Sequence, residues 1–143
     1  MISVERTMVV EWPAGEVLHY LADFGNTPEW DPGTESCARL NPGPVAVGAC
    51  WRNISRFRGR RTELLYCLEQ YGPDRLVFVG SNRTVKATDD ITVRASEGRT
   101  VLVYRSSLRF NGLARLAAPF LQAEFERLAD AVALRLPLVL AGP

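Results

Sequence analysis

The sequence predicts an α+β protein in which one antiparallel β-sheet packs against a long C-terminal α-helix. Short segments that alternate apolar and polar residues recur between turn residues through the middle of the 143-residue chain. This pattern is typical of an antiparallel meander and not of βαβ units. The end of the chain instead has a helical period, with Leu121, Phe125, Leu128, Val132 and Leu136 on one face. One long helix after six to seven strands predicts a helix packed on a single sheet.

The N-terminal segment predicts a strand followed by two short helices. Alternating side chains place the strand at Ile2–Glu11. A helix is predicted at Ala14–Asp23, because Pro13 suits a helix start, where its missing N–H is not needed. The breaker residues of Gly25–Pro28 end this helix, and a short helical turn is predicted at Glu29–Trp30.

Six further strands are predicted between turn signals, and they are Ser36–Leu40, Val47–Arg58, Arg61–Tyr71, Leu76–Ser81, Lys86–Ala95 and Thr100–Phe110. The C-terminal helix is predicted at Leu113–Leu136, and Pro119 either kinks it or marks its true beginning. Pro137 is expected to interrupt the helix. The apolar tail Leu138–Leu140 would then fold back or meet a partner.

Length and composition favour one domain over residues 1–143 with a full hydrophobic core, since 47% of the residues are hydrophobic and 23% are charged. The net charge of +1 gives no strong field towards nucleic acid or an anionic membrane. No apolar run approaches the ~20 residues of a membrane span, and Met1–Met8 lacks the features of a signal peptide. We therefore expect a cytoplasmic protein with neither a membrane span nor a nucleic-acid partner.

Metal and cofactor chemistry is not predicted. Cys37, Cys50 and Cys67 are widely spaced, and His19 is the only histidine that could join them, so we expect no metal site and reduced thiols. The chain has no P-loop, Rossmann fingerprint or Ser/His/Asp set. We expect no cofactor, and an enzyme here would work by acid–base groups and positioning alone.

Strand parity predicts the residues that face the helix, because the more apolar set of each strand should point towards it. This rule places Tyr66, Asp89, Tyr104 and Ser106 inward. Asp89 is the best candidate for a functional acid, since burial without a cation favours the neutral carboxyl group. The alternative is a purely structural Asp89 that hydrogen-bonds Tyr104, Ser106 or a nearby backbone group.

The order of the segments resembles the START/polyketide-cyclase/Bet v 1-like superfamily, and within it the bacterial polyketide cyclase/dehydrase-like members. The blocks that carry the resemblance are Trp12–Val17, Asp23, Pro28–Gly33, Leu68–Leu76, Asp89–Val93, Gly98–Tyr104 and Gly112–Pro119 with the amphipathic helix after it. The resemblance implies the helix-grip fold, in which a curved antiparallel sheet wraps around the C-terminal helix and leaves a cavity. It also implies a lipid-, polyketide- or aromatic-like ligand in that cavity.

Parity and the resemblance together predict the ligand-binding residues, which are Trp30, Tyr66, Phe78, Asp89, Leu102, Tyr104, Leu121 and Phe125. Trp30, next to Asp31–Gly33, resembles a family segment at the cavity mouth, but it would equally plug the sheet against the short helix. His19 is expected to have a structural role. The arginines within Arg56–Arg61 would form a solvated hairpin tip, or else bind a phosphate or an acidic partner.

The sequence leaves three functions open. The first is a binding module for a small hydrophobic molecule. The second is a cofactor-independent cyclase or dehydratase, as the resemblance implies, in which Asp89 and Tyr104 move protons while Trp30 or Tyr66 holds rings. The third is a protein-interaction module that uses the tail or the arginine tip, and a homodimer stays open. The first is favoured, because the inward polar set is small and no catalytic constellation is required.

Overall fold

The computed structural model describes residues 1–142 and contains a curved seven-stranded antiparallel sheet that grips a long C-terminal helix. Its elements are β1 Ile2–Val10, α1 Ala14–Ala22, α2 Thr27–Trp30, β2 Thr34–Arg39, β3 Cys50–Phe57, β4 Arg60–Tyr71, β5 Arg75–Ser81, β6 Val85–Ser96, β7 Arg99–Phe110 and α3 Ala118–Val139. Two 3-10 helices, Phe24–Asn26 and Gly112–Ala117, precede α2 and α3. The strand order is β1-β7-β6-β5-β4-β3-β2. The predicted helix-grip fold is confirmed.

The inner face of the sheet follows the predicted parity. Tyr66, Asp89, Tyr104 and Ser106 all point inward and are at most 8% exposed. Strand β6 pairs without a register shift along its length, so Asp89 lies beside Ser106 of β7 and Phe78 of β5. The bulges of the sheet lie elsewhere, in β2 and β4, and therefore leave the side-chain alternation of β6 intact.

Helix α3 packs on β1 through both apolar and ionic contacts. Its buried side chains are Phe125, Ala129, Val132 and Leu136, whereas Leu121 and Leu128 are half-buried at the edge of that face. Arg6 on the inner face of β1 reaches α3, where its guanidinium lies 2.9 Å from a carboxylate oxygen of Asp130 and 3.2 Å from one of Glu126. The ion pairs help to fix the position of α3 along β1.

The structure shows how each of the two prolines, Pro119 and Pro137, affects the C-terminal helix. Pro119 lies in the first turn of α3, so it marks the true beginning of the helix and does not kink it. The predicted interruption at Pro137 is wrong, because the helix continues to Val139. Pro137 removes a single hydrogen-bond donor near the helix end, and the burial of Leu136 and Leu140 on the same face holds the last turn in place.

The C-terminal tail folds back on the start of the chain. The carbonyl oxygen of Leu140 accepts hydrogen bonds from the backbone N–H groups of Glu11 and Trp12, both at 3.3 Å. The Leu140 side chain is fully buried, whereas Leu138 is 77% exposed. Of the two sequence-based alternatives for the tail, the structure therefore shows the intramolecular one.

The expectation of three reduced thiols is wrong for Cys50 and Cys67, which form a disulfide, while Cys37 is free. The two half-cystines lie directly opposite each other in the β3–β4 ladder. Sequence spacing did not reveal this pairing, because the register of two strands is set by tertiary packing and turn geometry. Across residues 1–142, no helix combines the length and the apolar character needed to cross a membrane.

Candidate functional site

A cavity of about 170 Å³ lies between the inner face of the sheet and α3. Its apolar wall residues are Val4, Phe24, Phe57, Leu64, Val85, Leu108, Phe110, Phe125, Leu128, Ala129 and Val132. Its polar wall residues are Asp31, Thr34, Asn53, Ser55, Arg56, Thr62, Tyr66, Asp89, Tyr104 and Ser106, with Gly33 beside them. The volume is below the ~300–1,000 Å³ of typical ligand pockets. It is close to that of an apolar cavity of ~150 Å³ that accepts benzene in another protein.

Four of the eight residues predicted for ligand binding lie on this wall, namely Tyr66, Asp89, Tyr104 and Phe125. The other four do not line it. Leu121 instead packs beside Ile2, Val4, Phe125 and Ala129 at the edge of the helix interface.

Phe78 and Leu102 are fully buried in the core, away from the cavity. Helix α1 packs on β5, which carries Phe78, on β7, which carries Leu102, and on β6 between them. The Phe78 ring also packs against Phe24, with the ring centroids 4.4 Å apart. Parity correctly predicts that these side chains point inward, but it cannot predict which inward residues another element covers.

Trp30 does not line the cavity itself but packs against Tyr104, which does. Only 1% of it is exposed, and its ring meets the Tyr104 ring edge-on with a centroid distance of 6.0 Å. Of the two roles weighed for Trp30, the structure places it as the plug between the short helix and the sheet. It acts on the cavity through the position of Tyr104.

The Tyr66 ring lies flat across Gly80, its neighbour on β5. A Cβ atom at residue 80 would come within 2.7 Å of three carbon atoms of that ring. Glycine is therefore required here for close packing, since any side chain would push the ring of Tyr66 towards the cavity.

Asp89 supplies a fully buried carboxyl group to the cavity wall. Burial raises the pKa of Asp89 to about 7, the hydrogen bond from Ser106 lowers it, and the negative charge of Asp31 raises it. The Ser106 hydroxyl donates that hydrogen bond to Oδ1 of Asp89 at 2.6 Å. Near neutral pH, the carboxyl group can therefore either donate or accept a proton.

Asp31, a half-buried residue, supplies a second carboxyl group to the wall, and the sequence interpretation assigned it no role of its own. Its two oxygens accept hydrogen bonds from the Gly33 N–H at 3.0 Å and from the Thr34 hydroxyl at 3.1 Å. Burial raises the pKa of Asp31, and these hydrogen bonds lower it. The sequence feature that could have indicated a role for Asp31 is an aspartate two residues before a glycine in a turn. The same feature occurs in ordinary turns, so it does not identify a cavity residue.

The hydroxyl groups of Tyr66 and Tyr104 complete the polar part of the wall. Burial raises the pKa of both phenols well above 10, and the charges of Asp89 and Asp31 add to that effect. Both phenols are therefore neutral hydrogen-bonding groups at physiological pH. They share the largely apolar cavity wall with Asp89 and with the other polar residues named above.

The cavity wall reaches the β3–β4 hairpin at Arg56 and Phe57. The guanidinium of Arg56 pairs with the carboxylate of Glu35, and Arg61 pairs with the other oxygen of the same carboxylate at 3.0 Å. Arg58 and Arg60 are exposed at the tip of the hairpin. Among the arginines within Arg56–Arg61, the cavity lining includes Arg56, which is already ion-paired.

His19 is exposed on α1 and does not line the cavity. Residues 1–142 contain no group of three or more His, Cys, Asp or Glu side chains placed to hold a metal ion. The polar groups available in the cavity are therefore carboxyl, phenol and hydroxyl groups, the amide of Asn53 and the ion-paired guanidinium of Arg56.

A curved sheet, the long helix that it grips and a cavity between them define a helix-grip protein of the START/polyketide-cyclase/Bet v 1-like superfamily. The chain belongs to the family described as polyketide cyclase/dehydrase and lipid transport, whose model matches residues 1–137. No curated protein matches the sequence.

Solved structures are similar in fold. A START superfamily protein from Mycobacterium smegmatis has a TM-score of 0.77 at 15% identity, over 96% of each chain. The Zhui aromatase/cyclase from Streptomyces sp. R1128 has a TM-score of 0.77 at 19% identity, over 93% of this chain and 89% of its own. The di-domain aromatase/cyclase BexL from the BE-7585A biosynthetic pathway has a TM-score of 0.73 at 16% identity, over 99% of this chain and 50% of its own. At these identities the likeness shows the fold alone.

Proposed function

We propose that the protein binds a small hydrophobic molecule in the cavity between the sheet and α3. The observation that carries this proposal is a largely apolar cavity whose wall includes the buried carboxyl group of Asp89. Ligand sites typically combine apolar walls with a few convergent polar groups and titratable residues of perturbed pKa.

The volume and polarity of the cavity narrow the ligand class. About 170 Å³ accommodates roughly one aromatic ring, so a larger polyketide or lipid would protrude from the cavity or displace α3. A neutral Asp89 can donate a hydrogen bond to a carbonyl oxygen, as can the phenols of Tyr66 and Tyr104. The best match is a ring or a short chain that carries a carbonyl group.

Calorimetric titration with a graded set of aromatic ketones tests this proposal, and native mass spectrometry of the purified protein identifies any molecule that it retains. We expect one-to-one binding that weakens in Phe125→Asp, which places a charge on the apolar wall. Leu134→Asp, at an exposed position of the same helix, is the matched control and should bind as the wild type does. Equal binding by the two variants would contradict a site in this cavity.

The second candidate is a cofactor-independent dehydratase or cyclase in the same cavity. The observation that favours it is the burial of Asp89, whose pKa of about 7 suits proton transfer at neutral pH, beside a second carboxyl group. In a dehydration, a proton leaves the carbon next to a ketone and the neighbouring hydroxyl departs as water after protonation. Ionised Asp89 can accept the proton from carbon, and neutral Asp89 can protonate the departing hydroxyl.

The probe for this candidate is 4-hydroxy-4-phenylbutan-2-one, a one-ring β-hydroxy ketone whose dehydration product absorbs in the near ultraviolet. If the protein is catalytic, Asp89→Asn should keep the affinity for the ketone and lower the rate of dehydration by about 10²–10⁴. If the wild type binds the probe but does not exceed the rate in buffer, this probe gives no support to catalysis and the binding function stands.

A further inference from the structure

A concentration of positive charge lies at one end of the sheet, although the net charge of the whole chain is only +1. Since the strands are antiparallel, β3, β5 and β7 end where β4 and β6 begin. Six exposed arginine and lysine side chains at or beside this end of the sheet form no ion pair within residues 1–142. We call this group of side chains the basic end, and its members are Arg58, Arg60, Arg83, Lys86, Arg109 and Arg115. The carboxylate of Glu35 is already shared by Arg56 and Arg61.

Three large apolar side chains protrude from the same region. Leu113, Leu116 and Phe120 are 85%, 73% and 77% exposed. They lie in the 3-10 helix Gly112–Ala117 and the first turn of α3, at spacings that place them on one side of this segment. Three such side chains close together form an exposed apolar patch, which in soluble domains marks an interaction site.

The patch adjoins both the basic end and the cavity. The backbone N–H of Asn111 donates to the carbonyl oxygen of Thr84 at 2.7 Å, which ties the start of the segment to the β5–β6 turn that contains Arg83. Phe110 and Phe125 both line the cavity, and the patch occupies the chain between them. A hydrophobic ligand that enters from this end of the sheet passes next to it.

We propose that this end of the protein docks on an anionic lipid bilayer, with Leu113, Leu116 and Phe120 in the headgroup region and the basic end on the lipid phosphates. Interfacial binding of this kind requires apolar side chains and cations on the same surface. Nucleic acid or an acidic protein would use the cations but not three solvent-exposed apolar side chains. A symmetric dimer through this surface would bring the basic ends of two copies together, and like charges repel.

Flotation with phospholipid vesicles tests the docking, and it needs no ligand in the cavity, so its result is independent of the proposed function. The protein should float with vesicles that contain phosphatidylglycerol, less so as salt is raised, and not with pure phosphatidylcholine. Leu113→Ser with Phe120→Ser should weaken binding by about tenfold for each side chain. Leu134→Ser with Leu138→Ser is the matched control, because these residues are equally exposed, at 75% and 77%, further along the chain.

Arg83→Gln removes one cation of the basic end and should weaken binding about fivefold. Three outcomes would overturn the docking. The first is no flotation with anionic vesicles at low salt. The second is that Arg83→Gln weakens binding while the Leu113 and Phe120 double variant does not, which is how a purely ionic partner surface behaves. The third is a wild-type dimer in sedimentation that the same double variant dissociates, which would assign the patch to a second copy of the chain.

Discussion

Replacing Asp89 by asparagine should remove most of the pH dependence that this residue gives to the stability of the fold. Its pKa is about 7 in the folded protein, against an ordinary value of 3.8. Between these two pH values the unfolded chain releases the proton while the folded protein keeps it, so the unfolding free energy falls as pH rises and stays low above about 7. At about 1.4 kcal/mol for each pH unit, the loss is about 4 kcal/mol. Asparagine is neutral throughout, so this loss should be absent in the variant.

Urea denaturation followed by tryptophan fluorescence at pH 4, 6 and 8 measures the effect, since Trp30 and Trp51 are buried. The unfolding free energy of Asp89→Asn minus that of the wild type should grow by about 4 kcal/mol from pH 4 to pH 8. Asp90→Asn is the control: Asp90 is the next residue on β6 and pairs with Arg75 on the outer face, so its loss should change stability by about 1 kcal/mol or less. A difference that stays constant with pH would refute a neutral, buried Asp89.

Three further changes test the packing around the cavity. Gly80→Ala should lower the unfolding free energy by about 1–3 kcal/mol, because the new Cβ atom would lie 2.7 Å from the Tyr66 ring. Thermal melts measure this change, and an unchanged melting temperature would contradict that contact. Leu136→Ala, on the buried face of α3, should cost about 2–5 kcal/mol, whereas exposed Leu134→Ala should stay within about 0.5 kcal/mol. Cys67→Ser opens a bridge between residues 17 positions apart and should cost about 3 kcal/mol in urea, and a reductant should destabilise the wild type but not the variant.

The fold could be predicted from the sequence because its signals are local. Alternation along the strands set the inward face, and it placed Asp89, Tyr66 and Tyr104 correctly before any register was known. The helical period at the C-terminus identified α3, and a proline near the predicted start marked where it begins. Each of these inferences depends on neighbours only a few residues away in the chain.

The cavity depended on contacts that sequence patterns do not contain. Phe78 and Leu102 point inward as predicted, but both are fully buried in the core, where Phe78 packs against Phe24, and neither lines the cavity. Asp31 reaches the cavity wall through the arrangement of a turn whose sequence is that of an ordinary turn. Local sequence gives the direction of a side chain, whereas only the packing of distant elements decides whether it meets protein or a cavity.

The sequence by itself determined the α+β class, the gripping helix and the inward face of the sheet. Only the tertiary structure decided that Cys50 faces Cys67. It also decided that six cations without an ion pair in residues 1–142 gather at one end of a chain with a net charge of +1. The physical reason is that strand register and the meeting of strand ends are properties of the assembled sheet. Charges far apart in sequence add up as one field only after the strands have brought them together.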